Sequence, residues 1–109
     1  MIIDFAEIQE VTIPQLNNGA GSVAAKMFMG QANKIMISRL PAATSIGMHE
    51  HSTSSEINYV LGGIGKAICD GKEEELSVGL CHYCPPGSAH SIINTGTEDL
   101  ILFTVVPER

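Results

Sequence analysis

His49-Glu50-His51-Ser52-Thr53-Ser54-Ser55-Glu56 is the stretch on which the reading of this chain turns. Two histidines stand at i and i+2, and a carboxylate follows the second by five residues. In extended backbone, residues i and i+2 share a face. The two imidazoles therefore converge, and a short turn can return Glu56 to them. Imidazole nitrogen and carboxylate oxygen are the donors a first-row divalent metal accepts. The stretch implies a metal site held on a strand and the turn after it.

The flanking sequence is strand-like. Ala24–Met29, Lys34–Leu40, Ser45–His51 and Glu56–Leu61 read as strands, the last with Glu56, Asn58 and Val60 on one face and Ile57, Tyr59 and Leu61 on the other. Ile64–Cys69 and Lys72–Leu76 flank Asp70-Gly71, a two-residue hairpin signal. Leu80–Cys84 stops at Pro85-Pro86-Gly87, and His90–Ile93 and Leu100–Val106 follow. No capped helical period runs beyond two turns. About nine short strands with Gly and Pro punctuation predict an all-β sandwich or barrel.

Composition narrows the function classes. The chain has 109 residues, 44% of them hydrophobic and 17% charged, which fits one globular domain with its own core. Net charge is -6, and the six basic residues are scattered singly, so a nucleic-acid partner is not expected. No apolar run approaches the roughly 18 residues of a membrane span. The N-terminus has no basic leader segment, and the three cysteines form no disulfide framework. A cytoplasmic setting is expected.

A second segment supplies a further donor. Gly79, Pro85, Gly87, His90 and Asn94 stand in the spacing G-x5-P-x-G-x2-H-x3-N. His49, His51, Glu56 and Gly63 stand in H-x-H-x4-E-x6-G. Together these resemble the two motifs of the cupin superfamily, over about residues 30 to 106. The first motif's leading glycine is replaced by Ala43, a turn position rather than a ligand. Leu80 stands where many members carry an aspartate. The resemblance implies a small single-domain cupin, a double-stranded β-helix or jelly-roll barrel of two antiparallel sheets. It also implies His49, His51, Glu56 and His90 as ligands of one divalent transition metal: Fe, Mn, Ni, Cu, Co or Zn. Three imidazoles and one carboxylate leave one or two coordination positions open, as a reactive site requires. Glu56 is also the candidate catalytic base, since in some cupins this carboxylate leaves the metal.

The expected function is a metal-dependent enzyme on a small polar organic substrate, with oxygenase or isomerase chemistry. The alternative is a non-catalytic module that binds or senses a sugar or carboxylate. Asn58, His82 and Met48 are the candidate substrate contacts. His82 has a competing reading as a residue packed in or beneath the core, and Asn58 as a support for the ligands or a plain structural hydrogen bond. Met48 points opposite to His49 if the strand is regular. Met27, Met29, Met36 and Met48 can line a hydrophobic pocket, but core packing is the better reading, since methionine fills irregular space. Arg39 and Lys66 are candidates for an anionic substrate, or plain solvated strand residues. Cys81 and Cys84 fall on opposite faces of one strand, which argues against a redox or zinc pair. Residues 1–30 are expected as N-terminal strands that contact a second subunit in a homodimer, with residues 31–109 forming the barrel.

Overall fold

The computed structural model describes residues 1–107, so the last two residues of the expected 31–109 unit lie outside it. Ten strands form two antiparallel sheets. They are β1 (Val11–Pro14), β2 (Ser22–Met29), β3 (Asn33–Leu40), β4 (Ser45–Glu50), β5 (Glu56–Gly62), β6 (Ile64–Cys69), β7 (Lys72–Ser77), β8 (Cys81–Cys84), β9 (Ala89–Asn94) and β10 (Leu100–Pro107). The larger sheet has six strands in the order β1-β2-β3-β10-β5-β8, and the smaller has four, β4-β9-β6-β7. This is the jelly-roll architecture of the double-stranded β-helix. No helix among the described residues is long and apolar enough to cross a membrane.

Local sequence explains most boundaries. Asp70 and Gly71 both take positive φ (50° and 82°), the two-residue turn that matches strand twist, and Cys69 pairs with Lys72 across it. β1 is the strand that alternation did not reveal. It is four residues long, lies on the sheet edge and ends in Pro14, which lacks the amide a central strand would need.

Alternation sorts the side chains. Along β10, Leu100, Leu102, Thr104 and Val106 are buried, and along β5 Glu56, Asn58 and Val60 are buried. The apolar core occupies one end of the barrel: Leu40, Val60, Leu76, Ile92, Leu100 and Leu102, with Val23 and Ala67. Two residues further along the same strands the inward positions turn polar. Thr104, Asn58 and His82 sit side by side in register across β10, β5 and β8. Glu56 follows opposite Cys84. The continuous apolar core thus lies towards one end of the barrel, and the buried row Thr104, Asn58, His82 and Glu56 lies beyond it.

One irregularity aims the His49 side chain. β4 pairs with β9 as Ile46↔Ile92 and then His49↔His90, so β4 carries one residue more than its partner between these pairs. This is a β-bulge at Gly47-Met48. Strict alternation would put Ile46 and His49 on opposite faces, but the extra residue lets both point inward. Gly47 is required there, because a Cβ would lie 1.9 Å from the Asn17 carbonyl oxygen.

Candidate metal centre

His49 and His90 lie directly opposite each other on β4 and β9, His51 follows the end of β4, and Glu56 opens β5 in the other sheet. Their donor atoms all lie within 4.8 Å of one another, so the four side chains can hold one metal ion. His49 Nε2 is 3.0 Å from His90 Nε2. Glu56 Oε1 is 2.9 Å from His51 Nε2 and 4.0 Å from His49 Nε2, and Glu56 Oε2 is 3.4 Å from His90 Nε2. A metal about 2.1 Å from each donor spaces neighbouring donors by roughly 3.0–3.4 Å and opposite ones by about 4.2 Å. The donor set fits that range.

Hydrogen bonding specifies which nitrogens are bare. The His49 Nδ1–H donates to the Gly47 carbonyl at 2.8 Å, within the bulge, so a neutral His49 presents an unprotonated Nε2. His82 Nδ1–H donates to Glu74 Oε1 at 2.7 Å, and His82 Nε2 lies 2.9 Å from His90 Nδ1. With His82 neutral, its Nε2 accepts from His90 Nδ1–H, which leaves His90 Nε2 bare as well. Two lone pairs then face each other across 3.0 Å, beside a carboxylate. His51 Nε2 is buried without a hydrogen-bond partner, its neighbour Glu56 lying out of line. Such an arrangement calls for a cation.

The electrostatics agree. Burial alone would raise the Glu56 pKa, but the nearby His49 and His90, when protonated, and the Asn58 amide favour the carboxylate and hold it far below the usual carboxylate range. Glu56 raises His49, with burial opposing and the Gly47 carbonyl assisting. Burial lowers His51, with His49 and His90 adding to that against the pull of Glu56. Glu56 is further anchored, since Asn58 Nδ2 donates to Oε2 at 2.8 Å and the Thr104 hydroxyl donates to Asn58 Oδ1 at 2.6 Å.

A cavity of about 360 Å³ opens from this cluster. His49, His51, Glu56 and Asn58 lie at its base, Ser38 and Thr104 on its wall, and Met27, Met29 and Met36 along its apolar side. Of the two readings open to these methionines, pocket lining and core packing, the structure shows the first. Their spacing carried the signal: Met27 pairs with Met36 across β2 and β3, on the inner face of the larger sheet.

Other candidates fall elsewhere. Met48 is 52% exposed and lines a flatter outer groove, not the cavity, because the bulge that turns His49 inward leaves Met48 outside. His82 is 2% exposed and does not border the cavity, since His90 stands in front of it. Arg39 pairs with Glu10 and Asp99 on the outer face, and Lys66 with Glu73. Cys81 is exposed and Cys84 buried, and burial together with Cys69 pushes the Cys84 thiol up to about 12.

The cupin domain family model matches residues 36–106. This chain belongs to the cupin family. The cupin is 30% identical over 112 residues to an oxalate-binding protein of Thermotoga maritima, covering 97% of this chain and 93% of that protein. A crystal structure of a predicted oxalate decarboxylase from Thermotoga maritima matches all of both chains, with 29% identity and a TM-score of 0.93. The cupin domain of Schizosaccharomyces pombe Cnp3 matches with a TM-score of 0.82 at 12% identity, over all of this chain and 74% of that one, a likeness of fold alone.

Proposed function

We propose that this cupin binds a small carboxylate, of which oxalate is the first candidate, through a divalent transition metal held by His49, His51, Glu56 and His90. The observation that carries the reading is the convergence of bare imidazole nitrogens on one ionised carboxylate at the base of a one-sided cavity. Bound there, the metal would supply positive charge and open positions for carboxylate oxygens. The similarity to an oxalate-binding protein over nearly the whole chain supports the ligand class. So does cavity size, which sits at the low end of the range for small-molecule sites.

The chain's own residues divide the work. Asn58 and Thr104 hold Glu56 in place, Met27 and Met36 form an apolar side with the exposed Met29 at its rim, and Ser38 offers a hydroxyl to the ligand. Among the described residues lining the cavity, Lys34 is the sole titratable side chain beyond three of the four donors. A wall so poor in acid–base groups favours binding over the proton transfers that isomerase chemistry needs.

The test is calorimetry with oxalate on protein loaded with Mn(II), Co(II) or Zn(II) and on protein stripped with chelator. Binding is expected at one oxalate per chain with metal and is expected to vanish without it. Equal binding in both samples, or none in either, would overturn the reading. Release of formate and CO2 from oxalate by the loaded sample would overturn it in favour of a decarboxylase. Metal at 100 times its dissociation constant should also add about 2.7 kcal/mol to folding stability.

The reading includes a second copy of the chain. The outer face of the larger sheet carries Ile35, Ile37, Phe103, Tyr59 and Tyr83, and Phe5 of the N-terminal segment packs edge-on against Phe103. Tyr59 and Tyr83 remain 42% and 54% exposed. Such a face supports a two-fold pairing in which residues 1–30 take part. A sedimentation mass of one subunit at micromolar concentration would exclude it.

A further inference from the structure

Glu74 and His82 lie outside the cavity, yet they connect to the cluster. His82 has no exposed side-chain surface, while the Glu74 side chain is 41% exposed. The connection runs from Glu74 on β7, through His82 on β8, to His90 on β9, so it crosses from the smaller sheet to the larger and back. Its two contacts, 2.7 Å and 2.9 Å, are of good hydrogen-bond length. The His82 and His90 rings are stacked, 5.1 Å apart and inclined at 28°. A histidine buried this deeply needs partners for both nitrogens, and it has them.

We infer that Glu74 and His82 are positioning residues for the metal-binding histidine His90. The inference rests on the metal reading above. Glu74 accepts only, so it fixes the proton of neutral His82 on Nδ1. His82 Nε2 then accepts from His90 Nδ1–H, and His90 Nε2 is left free to donate its lone pair. The carboxylate also makes His82 a better acceptor, and so makes His90 a more basic ligand. His49 obtains the same tautomer from a neutral backbone carbonyl. The two facing imidazoles are therefore unequal: His90 is backed by an anion near the surface, and His49 by a peptide dipole.

Neighbouring glutamates provide the control. Glu75 is next on β7 and exposed, with its side chain on the opposite face of the strand. Removing Glu75 deletes the same charge without touching His82. The experiment is chelator competition for Co(II) on wild type, Glu74→Ala, Glu74→Gln and Glu75→Ala. Long-range proton–nitrogen NMR on metal-free protein near pH 8.5, where an ordinary imidazole is neutral, accompanies it.

Glu74→Ala is expected to weaken Co(II) affinity about tenfold or more, within the range for groups that support a ligand. It should also mix the tautomers of His82. Glu74→Gln keeps an acceptor oxygen but not the charge and should recover part of the affinity, and Glu75→Ala should leave it unchanged. Equal Co(II) affinity in wild type and Glu74→Ala, or an equal loss in Glu75→Ala, would overturn the inference. A wild type without Co(II) affinity would overturn the metal reading and this inference together. His82→Gln, which can both donate and accept, should fall between wild type and Glu74→Ala. All four variants are to be checked for an intact fold by circular dichroism.

Discussion

His49 is the residue at which metal and proton compete most directly. Its pKa stands above the ordinary 6.5 because Glu56 beside it favours the imidazolium, despite the opposing cost of burial. Above that pKa, Nε2 is bare and ready to bind, and below it a proton occupies the same position. Apparent metal affinity should therefore be flat at high pH and fall about tenfold per unit once pH drops below the His49 pKa. His51 is shifted the other way, so it adds its own proton only at lower pH. Measuring Zn(II) affinity from about pH 8.5 to 5.5 should show the break above 6.5, and a first break below 6.5 would contradict the assignment. The four donors were legible as residues because two short motifs, far apart in the chain, each carry fixed spacings that one barrel brings together. The role of Glu74 was not. Its contact with His82 depends on how one sheet lies over the other, which spacing along the chain does not encode.

At the scale of elements, turns and one bulge carry what alternation misses. Between β3 and β4, Thr44 N–H donates to Pro41 O at 3.1 Å, closing a turn whose third residue, Ala43, sits at φ 62°. A left-handed residue with a Cβ costs about 1–2 kcal/mol, partly offset by the greater unfolded-chain freedom of glycine. Ala43→Gly should therefore stabilise the protein by about 0.5–1 kcal/mol, raising the melting temperature by a few degrees. No change, or a lower melting temperature, would mean the turn is unstrained. The motif had marked this position as one normally held by glycine, and the positive φ is the physical reason. Gly47 is the opposite case. Its added methyl would collide with the Asn17 backbone, so Gly47→Ala should cost about 1–3 kcal/mol or more. Because the Gly47 carbonyl fixes the His49 ring, metal affinity should fall in the same variant, read by the same competition assay. The bulge itself was hidden from the sequence: nothing in Ile46-Gly47-Met48-His49 states that β9 will have one residue fewer across from it.

At the scale of the whole molecule, nine of the ten strands among the described residues followed from alternation and turn chemistry, and the two antiparallel sheets from the resemblance carried by the two motifs. The division of the barrel along its length did not, because it depends on which inward positions share a layer. That division has a consequence for motion. The apolar-core end holds Leu40, Val60, Leu100 and Leu102 all fully buried, whereas the end with Glu56, Asn58 and Thr104 is joined by side-chain hydrogen bonds and would gain the metal as a tie between the sheets. Stripping the metal should thus free one end of the molecule while the other keeps its protection. Amide hydrogen exchange can read this residue by residue. Chelation should accelerate exchange at Asn58, His90 and Thr104 by an order of magnitude or more, and leave Val60 and Leu102 nearly unchanged. Uniform acceleration along β5 and β10 would instead mean that the barrel opens as one unit. On the first outcome, β5 and β10 are each two things in succession: a permanent scaffold over half the length, and a ligand-gated hinge over the rest.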